Sequence, residues 1–268
     1  MSEFPGARTF VRRYRSLFLS DLHLGSLGSR ADLVLEFLRR NEAEAYWLVG
    51  DILDVGQSLP SRWSAADQAV VDLLRDRWRA GAQVVYVRGN HDPAASATPA
   101  ERRMPVPAVD HATHRAADGR RYLVVHGDGQ DRLLFRWHLL TRIGGHADQL
   151  LRAGDALVGQ WLGRGSERRS IIEGLLSRLN RGLYPGRSYE RRLIELASGA
   201  GYDGVICGHF HIPELRKIGA LSYANCGDWI DSFTAVGEDH GGRMRLLGGR
   251  RAFAAAPRPP FREAVARA

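Results

Sequence analysis

The sequence has little lysine and little cysteine. Of its 38 basic residues only Lys217 is a lysine, and Cys207 and Cys226 are its only cysteines. Two cysteines are too few for a disulfide framework, and both lie beside apolar residues in predicted strands, so we expect small buried thiols in a reducing compartment. The arginine bias is compatible with genomic composition and also with a preference for forked phosphate contacts.

The sequence also lacks long hydrophobic runs. No apolar stretch reaches membrane-spanning length, and residues 1–16 are basic but have no apolar run of the kind that a signal peptide needs. We therefore expect a cytoplasmic protein, with peripheral contact to the inner membrane surface left open. The net charge of +8 over 268 residues predicts anionic partners such as nucleic acid, phospholipid or phosphorylated metabolites.

The hydrophobic pattern predicts strands that alternate with helices in the first half of the chain. Strands are expected at residues 16–19, 45–49, 84–87, 121–125, 203–207, 215–224, 229–236 and 243–247, and helices at 31–40 and about 65–80. On the second helix, Val70, Val71, Leu74 and Trp78 should form the buried face. Strand–helix units in a row predict a layered α/β fold.

The pattern between residues 131 and 200 is helical throughout and differs from the rest. Two apolar stripes run along it, and residues 131–195 carry twelve arginines against seven acidic residues. We expect a helical cap that is inserted into one core. Two roles stay open for this cap, which would either bind lipid or only pack on itself. The predicted divisions are 14–130 and 201–250 for the two parts of the core, 131–200 for the cap and 251–268 for a disordered tail.

Polar side chains collect at the ends of the predicted strands. The candidate metal ligands among them are Asp21, His23, Asp51, Asn90, His126, His209 and His211. Oxygen and nitrogen ligands without cysteine suit divalent Mn, Fe, Zn or Co and disfavour a structural zinc site. Seven ligands are more than one catalytic ion uses and are enough for two ions that share a bridge, for which Asp51 is the natural candidate.

These blocks, in chain order, read Asp-x-His, Gly-Asp, Gly-Asn-His-Asp, His-Gly-Asp and Gly-His-x-His. The ordered set resembles the calcineurin-like binuclear metallophosphoesterases. The resemblance implies a four-layer β-sandwich flanked by helices, a fold of the α/β (α+β) class. It also implies one metal held by Asp21, His23 and His211 and a second held by Asn90, His126 and His209. Asp51 would lie between two divalent ions, with Mn²⁺ expected first.

Two residues of the Gly-Asn-His-Asp block are expected to act in catalysis. In a two-metal hydrolase the cations make a bridging hydroxide available, and they neutralise the phosphoryl oxygens that it attacks in line. His91 is placed to protonate the leaving oxygen or to stabilise the transition state, and Asp92 to fix the tautomer of His91. Asp54 could equally support a ligand or cap a helix.

Within this superfamily, residues 16–235 look like the UDP-2,3-diacylglucosamine pyrophosphohydrolases of lipid A synthesis. The likeness rests on the helical insert and on Ser-Asp-Leu-His-Leu-Gly at 20–25, Gly-Asp-Ile-Leu-Asp at 50–54 and Val-His-Gly-Asp at 125–128. It implies a phosphorylated, amphiphilic, lipid-linked substrate sheltered by the cap. That family has arginine where this chain has His91, a residue that restores the general phosphoesterase motif.

Three alternatives stay open from the sequence. A soluble phosphomonoesterase or phosphodiesterase would use the same metals without an apolar pocket. A nucleic-acid phosphodiesterase would use the arginine surplus on phosphates, but no stacking aromatics are interleaved with the arginines, so a nucleic-acid partner is disfavoured. A non-enzymatic membrane-binding module would hydrolyse nothing at full metal loading.

Overall fold

The computed structural model describes residues 11–26, 28–54, 63–130 and 188–253. Its strands are β1 (Arg12–Leu19), β2 (Asn41–Val49), β3 (Gln83–Val87), β4 (Ala108–Val109), β5 (Ala112–Arg115), β6 (Arg121–Val124), β7 (Gly204–Cys207), β8 (Glu214–Ile218), β9 (Leu221–Asn225), β10 (Thr234–Glu238) and β11 (Met244–Gly248). Its α-helices are α1 (Ala31–Arg40), α2 (Ala65–Arg79) and α3 (Ser188–Gly199). No helix in these ranges is long and apolar enough to cross a membrane. Most of the predicted cap and the predicted tail lie outside the described residues.

The strands form two mixed sheets. One sheet has the order β11-β10-β1-β2-β3-β4 and the other the order β5-β6-β7-β9-β8. At the centre of the first sheet β1, β2 and β3 run parallel, and at the centre of the second β6, β7 and β9 do. The carboxyl ends of parallel strands meet at one edge of a sheet, so the loops that follow these strands gather at one end of the molecule.

The sheets pack face to face with helices on both outer sides. On β1, Phe18 points into the cluster between the sheets, whereas Leu17 and Leu19 point outward to the cluster that holds α1 and α2. The outer face of the second sheet is covered by α3 through Leu193 and Ala197. This alternation follows from the two-residue period of a strand, and it confirms the predicted four-layer sandwich.

The helices begin and end where local chemistry allows. In α2, the Ser64 hydroxyl accepts from the Asp67 N–H at 3.2 Å while the Asp67 carboxylate accepts from the Ser64 N–H at 2.7 Å. This reciprocal pair is a capping box, which satisfies two backbone donors at the start of the helix. The last turn of α2 departs from the prediction, because Trp78 is 47% exposed. In this last turn it is Arg77 that contacts the first sheet, because its guanidinium lies 2.6 Å from the carboxylate of Glu42 on β2.

Two of the predicted strands differ from the structure. Residues 215–224 form a hairpin of two strands, β8 and β9, that turns at Gly219, which has φ of +61°. Residues 229–233 are a turn and not a strand, because the Asp228 carboxylate accepts backbone N–H groups from Ile230, Asp231 and Ser232. An aspartate that bonds to its own following backbone competes with the ladder of a sheet. Cys207 and Cys226 are buried free thiols, as expected.

Candidate metal centre

The first group of predicted ligands comes from the loop after β1 and from the loop after β7. Asp21, His23 and His211 offer ligand atoms that all lie within 4.8 Å of one another. His211 Nε2 is 3.1 Å from Asp21 Oδ1, and His23 Nε2 is 3.9 Å from the same oxygen. Asp21 is completely buried. The Asp21 carboxylate also accepts the His209 N–H at 3.0 Å. Asp21 and His209, which are 188 positions apart in the sequence, therefore lie in one site.

The second group comes from the loops after β2, β6 and β7. Asp51, His126 and His209 again offer atoms within 4.8 Å of one another. His126 Nε2 lies 3.2 Å from Asp51 Oδ2, and the rings of His126 and His209 have centroids 5.0 Å apart. The neighbouring loop after β3 carries Asn90, whose side-chain oxygen is buried.

Asp51 connects the two groups. Its Oδ2 is 3.2 Å from a ring nitrogen of His126 in the second group and 4.0 Å from Nε2 of His23 in the first. Its other oxygen accepts the His91 N–H at 2.8 Å, which fixes the plane of the carboxylate. A carboxylate held between two sets of ligands has the position that a bridging ligand requires.

The backbone at the centre adopts a conformation that non-glycine residues rarely take. Asp21, His23, Asp51, His209 and His211 have φ between +46° and +68°. Each is in the left-handed region, which costs about 1 kcal/mol or more for such residues. The chain accepts this cost at five predicted ligands, so surrounding contacts must hold these loops in place.

Asp92 is the main contact that holds the Asp51 loop. Its carboxylate accepts four backbone N–H groups, from Asp51, Ile52, Leu53 and Gly89, at 2.7–2.9 Å. The sequence had suggested that Asp92 fixes the tautomer of His91. The structure gives that position to Asp54 instead, with Oδ2 3.8 Å from His91 Nδ1 and 3.4 Å from His23 Nδ1. Asp54 thus supports side chains of the site.

Two imidazoles are oriented in the same way, each by an oxygen atom that lies beside its Nδ1. His126 Nδ1 lies 3.0 Å from the Val49 carbonyl oxygen, and His23 Nδ1 lies beside Asp54. When Nδ1 carries the proton and donates it to such an acceptor, Nε2 keeps a lone pair that can bind a metal. In both rings Nε2 is turned toward the other ligands.

Opposite charges reinforce one another in the centre. Burial alone would raise the pKa of the Asp51 carboxyl, but the imidazoles of His126, His23 and His91 outweigh burial and hold this pKa well below its ordinary value. Burial alone would lower the pKa of His126, yet the Asp51 carboxylate raises it to about 10. Asp21 has the corresponding effect on His211, whose pKa rises to about 9. A field that favours cations this strongly also favours a divalent metal, which would displace the protons.

Glycine is required where the strand-end loops approach each other. A Cβ on Gly89 would overlap the backbone nitrogen and Oδ1 of Asp51, and a Cβ on Gly50 would overlap the ring of His126. Gly50 also has φ of +80°. The glycines of the Gly-Asp and Gly-Asn-His-Asp blocks are therefore spacers that let the ligands meet.

The donor set fits divalent metals. Two predicted ligand atoms, Asn90 Oδ1 and His23 Nε2, are buried and make no hydrogen bond to any part of the chain that the structure describes. Buried polar atoms are normally satisfied, so atoms left without a hydrogen bond in a shared site indicate a missing partner. Carboxylate, amide and imidazole donors of this kind suit Mn, Fe, Zn or Co, and they do not choose among these metals.

Comparison with known proteins gives a family and a fold. The family described as calcineurin-like phosphoesterase matches residues 14–213, which is most of the chain. No curated protein was found to match the chain.

Several solved structures are similar in outline. Vps29 from Entamoeba histolytica, in a single-mutant form, is 12% identical with a TM-score of 0.46 over 87% of this chain and 97% of that chain. The phosphoesterase Yfce from E. coli is 16% identical with a TM-score of 0.41 over 87% and 97%. A novel archaeal phosphodiesterase is 13% identical with a TM-score of 0.43 over 87% and 98%. Likenesses at such low scores carry no weight for the substrate of this chain.

The family match covers most of β1, all of β2 to β7 and all the strand-end blocks from Asp21 to His211. The two groups of His and Asp side chains at those strand ends fit the divalent metals on which such phosphoesterases depend. The chain therefore belongs to the calcineurin-like phosphoesterase family, and it is a metal-dependent enzyme that hydrolyses phosphate esters.

Proposed function

We propose that the chain is a two-metal hydrolase of a phosphate ester or pyrophosphate in a lipid-linked substrate such as UDP-2,3-diacylglucosamine. The observation that carries this proposal is a cavity of about 500 Å³ beside the metal centre. Its lining includes His126, Gly89 and Arg88. A cavity of this size is too small for a whole diacyl nucleotide-sugar and would hold the part of the substrate that lies next to the metals.

Apolar side chains also line the cavity. They are Leu193 and Leu196 of α3 together with Val125 and Leu123. Leu196 is 42% exposed, so its side chain is accessible to a ligand in the cavity. The polar part of the lining holds Arg88 together with two carboxylates, Asp110 and Asp128. A cavity that combines this polar part, next to the predicted ligand His126, with apolar side chains suits an amphiphile whose phosphate faces the metals.

The predicted ligands divide between the two metal positions. Asp21, His23 and His211 would hold one ion, Asn90, His126 and His209 the other, with Asp51 between them. Bound divalent ions lower the pKa of water and neutralise phosphoryl oxygens. Asp92 and Asp54 would keep other groups in place. Asp92 holds the Asp51 loop, and Asp54 lies against the imidazoles of His23 and His91.

His91 is the proposed proton donor to the leaving oxygen. Its side chain is 41% exposed at the centre, with Nδ1 beside Asp54. Burial would lower the pKa of His91, but the nearby Asp54 carboxylate and the charges of Asp51 and Asp21 outweigh burial and raise this pKa. Since Nδ1 faces Asp54, Nε2 is the atom that can hand its proton to substrate.

The proposal extends to the surroundings of the enzyme. An amphiphilic substrate resides in a membrane, so the chain would work in the cytoplasm in peripheral contact with the inner membrane surface. Mn²⁺ remains the metal to test first, and nucleic acid remains a disfavoured partner.

A substrate panel with a matched pair of variants tests the lipid-linked substrate. With Mn²⁺, UDP-2,3-diacylglucosamine should be hydrolysed with a higher kcat/KM than phosphomonoesters, a chromogenic phosphodiester or single-stranded DNA. Leu196→Asn should lower kcat/KM for the diacyl substrate by roughly tenfold, because it removes an apolar contact, and should spare the chromogenic diester. Leu246→Asn changes a leucine of similar exposure on β11, and it should affect neither substrate.

A soluble phosphoesterase of general specificity is the second candidate. The observation in its favour is His91, which completes the general Gly-Asn-His-Asp motif of the superfamily. In that case simple esters would be hydrolysed at least as well as the diacyl substrate, and Leu196→Asn would change all rates equally or none. Either result would contradict the lipid-linked substrate while leaving the metal centre intact.

A further inference from the structure

A second cavity, of about 480 Å³, opens at the other end of the sandwich. It is lined by the turn before β6, by β8, by the start of β9 and by the turn between β10 and β11. Arg120 precedes β6, whereas His126 of the metal centre follows it, so the two cavities lie at opposite ends of that strand. They share no lining residue.

The rim of this cavity is cationic. Four basic side chains line it, Arg120, Arg216, Lys217 and Arg243, against one acidic side chain, Asp118. Arg120 and Arg216 are neutralised in part, since Arg120 lies 3.5 Å from Asp118 and Arg216 contacts Glu190 and Glu214.

The other two cations of the rim are exposed. Lys217 and Arg243 form no ion pair with any of the residues that the structure describes. They converge on the cavity from different elements, β8 and the β10–β11 turn. The charge of Arg243 is offset in part by the Asp239 carboxylate, which accepts the Arg243 backbone N–H at 2.9 Å. Two cations that face one concave site without a direct ion pair can bind a doubly charged anion, because charge-assisted hydrogen bonds are stronger inside a cavity than on an open surface.

The floor of the cavity is apolar and continuous with the core. Tyr122 is almost completely buried in the cluster between the sheets, and Leu215 and Met244 pack against that cluster. All three line the cavity. An inorganic anion would leave this surface unused, whereas a ligand with an apolar or aromatic body would cover it.

We infer that this cavity is a second ligand site, which binds a small organic phosphate with its phosphoryl group between Lys217 and Arg243 and its apolar body over Leu215 and Met244. The site is independent of the metal centre and of the proposed lipid-linked substrate. Its concave shape and volume suit a small molecule and exclude a nucleic-acid duplex or a flat membrane surface.

The test uses the fact that Lys217 is the only lysine in the chain. In the full-length protein loaded with Zn²⁺ and labelled with ¹³C-lysine, the side-chain NMR spectrum contains a single lysine signal, and that signal reports on this cavity. Phenylphosphonate is the probe, because it combines a doubly charged group with an aromatic ring and is not hydrolysed as an ester. The Lys217 signal should shift saturably with phenylphosphonate, more weakly with methylphosphonate and not at all with benzyl alcohol.

Two variants separate this site from binding at the metals. Arg243→Gln should weaken the binding of phenylphosphonate by about tenfold, since it removes one charged hydrogen-bond donor. Arg245→Gln changes an exposed arginine on the same hairpin that does not line the cavity, and it should leave the titration unchanged.

Three results would overturn the inference. They are a Lys217 signal that does not saturate with phenylphosphonate, equal affinity for phenylphosphonate and methylphosphonate, or a titration that is identical in Arg243→Gln and the unchanged protein. A response to vesicles that contain phosphatidic acid, without a response to phenylphosphonate, would assign the surface to a membrane and would overturn the small-molecule site.

Discussion

Asp51 is the carboxylate that connects the two ligand groups of the candidate metal centre. It faces imidazoles of both ligand groups and accepts the His91 N–H, while its own N–H is held by Asp92. Removing its side chain would therefore leave neighbouring imidazoles without their counter-charge.

Asp51→Ala tests the shared carboxylate. We expect kcat/KM to fall by at least about a hundredfold and bound metal to drop, because a position between two cations cannot be filled by a methyl group. Activity assays and metal analysis of the purified variant are the measurements. Asp76→Asn, at an exposed carboxylate on α2, is the control and should change neither quantity. Full activity of Asp51→Ala would exclude the two-metal assignment.

His91→Ala tests the proton donor. Its ring is beside the ligands, but its Nδ1 is directed to Asp54. We expect kcat to fall by about 10²–10⁴-fold, the range for loss of a general acid, while the metal content stays unchanged. The loss should be smaller for an ester with an acidic leaving group, which needs no protonation. Loss of metal from His91→Ala would instead make His91 a ligand.

At the scale of elements, the centre depends on loops that leave parallel strands and pass close to one another. The Asp21 N–H donates to the Gly50 carbonyl and the His23 N–H donates to the Asp51 carbonyl, both at 3.0 Å. The pairing of β1 with β2 thus continues past the ends of the two strands. These bonds keep the left-handed residues in place, and they leave no room for a larger residue at the crossing.

Gly89→Ala tests that close approach. The added methyl group would overlap Asp51, so the loop after β3 must move away from the loop after β2. We expect a destabilisation of about 1–3 kcal/mol, the cost of overpacking, together with loss of bound metal. Urea unfolding and metal analysis measure the two effects. Gly199→Ala, where a methyl group would meet open space, should be neutral in both. Retention of metal by Gly89→Ala would show that the loops are less closely coupled than we infer.

At the scale of the whole molecule, one buried carboxylate joins the two sheets. Glu238 on β10 is fully buried and accepts from Arg15 Nη1 on β1 at 2.9 Å. It also lies 2.9 Å from His114 Nε2 on β5 and accepts the Ala117 N–H at 2.7 Å. The first sheet is thereby bonded to the second across the sandwich.

The acid stability of the sandwich should depend on Glu238. Burial alone would raise its pKa, but the bonds from His114 and Ala117 outweigh burial and lower it from 4.5 to about 2. A carboxylate with a depressed pKa contributes stability above its unfolded value, and this contribution is lost as the pH falls toward the folded value. We expect up to about 3 kcal/mol to disappear between about pH 4.5 and pH 2.

Glu238→Gln tests this linkage through urea unfolding at a series of pH values. The variant should be less stable at neutral pH, and the difference from the unchanged protein should shrink as the pH falls below 4.5. Asp76→Asn again serves as the control, since its carboxylate is exposed. A difference between Glu238→Gln and the unchanged protein that is constant from pH 7 to pH 2 would contradict the assigned role.

Much of the fold could be predicted because its determinants are local. Helix α1 has the predicted bounds, since Leu33, Val34, Phe37 and Leu38 recur at helical spacing and all four are buried. The strands before the ligand blocks were recognisable as short apolar runs. The turn at residues 229–233 was missed, because the bonds of Asp228 to the following N–H groups leave no trace in the hydrophobic pattern.

The sequence by itself determined which side chains follow each strand, and so which oxygen and nitrogen donors could meet at one edge of the sheets. Residue type and strand length are enough for that inference. Only the tertiary structure decided that Asp92 holds a loop 41 residues away, and that Asp54 lies against both His23 and His91. It also decided that Trp78 is exposed and that Glu238 bonds to His114. These facts depend on how far apart the strand ends lie once the sheets are packed, and no local pattern contains that distance.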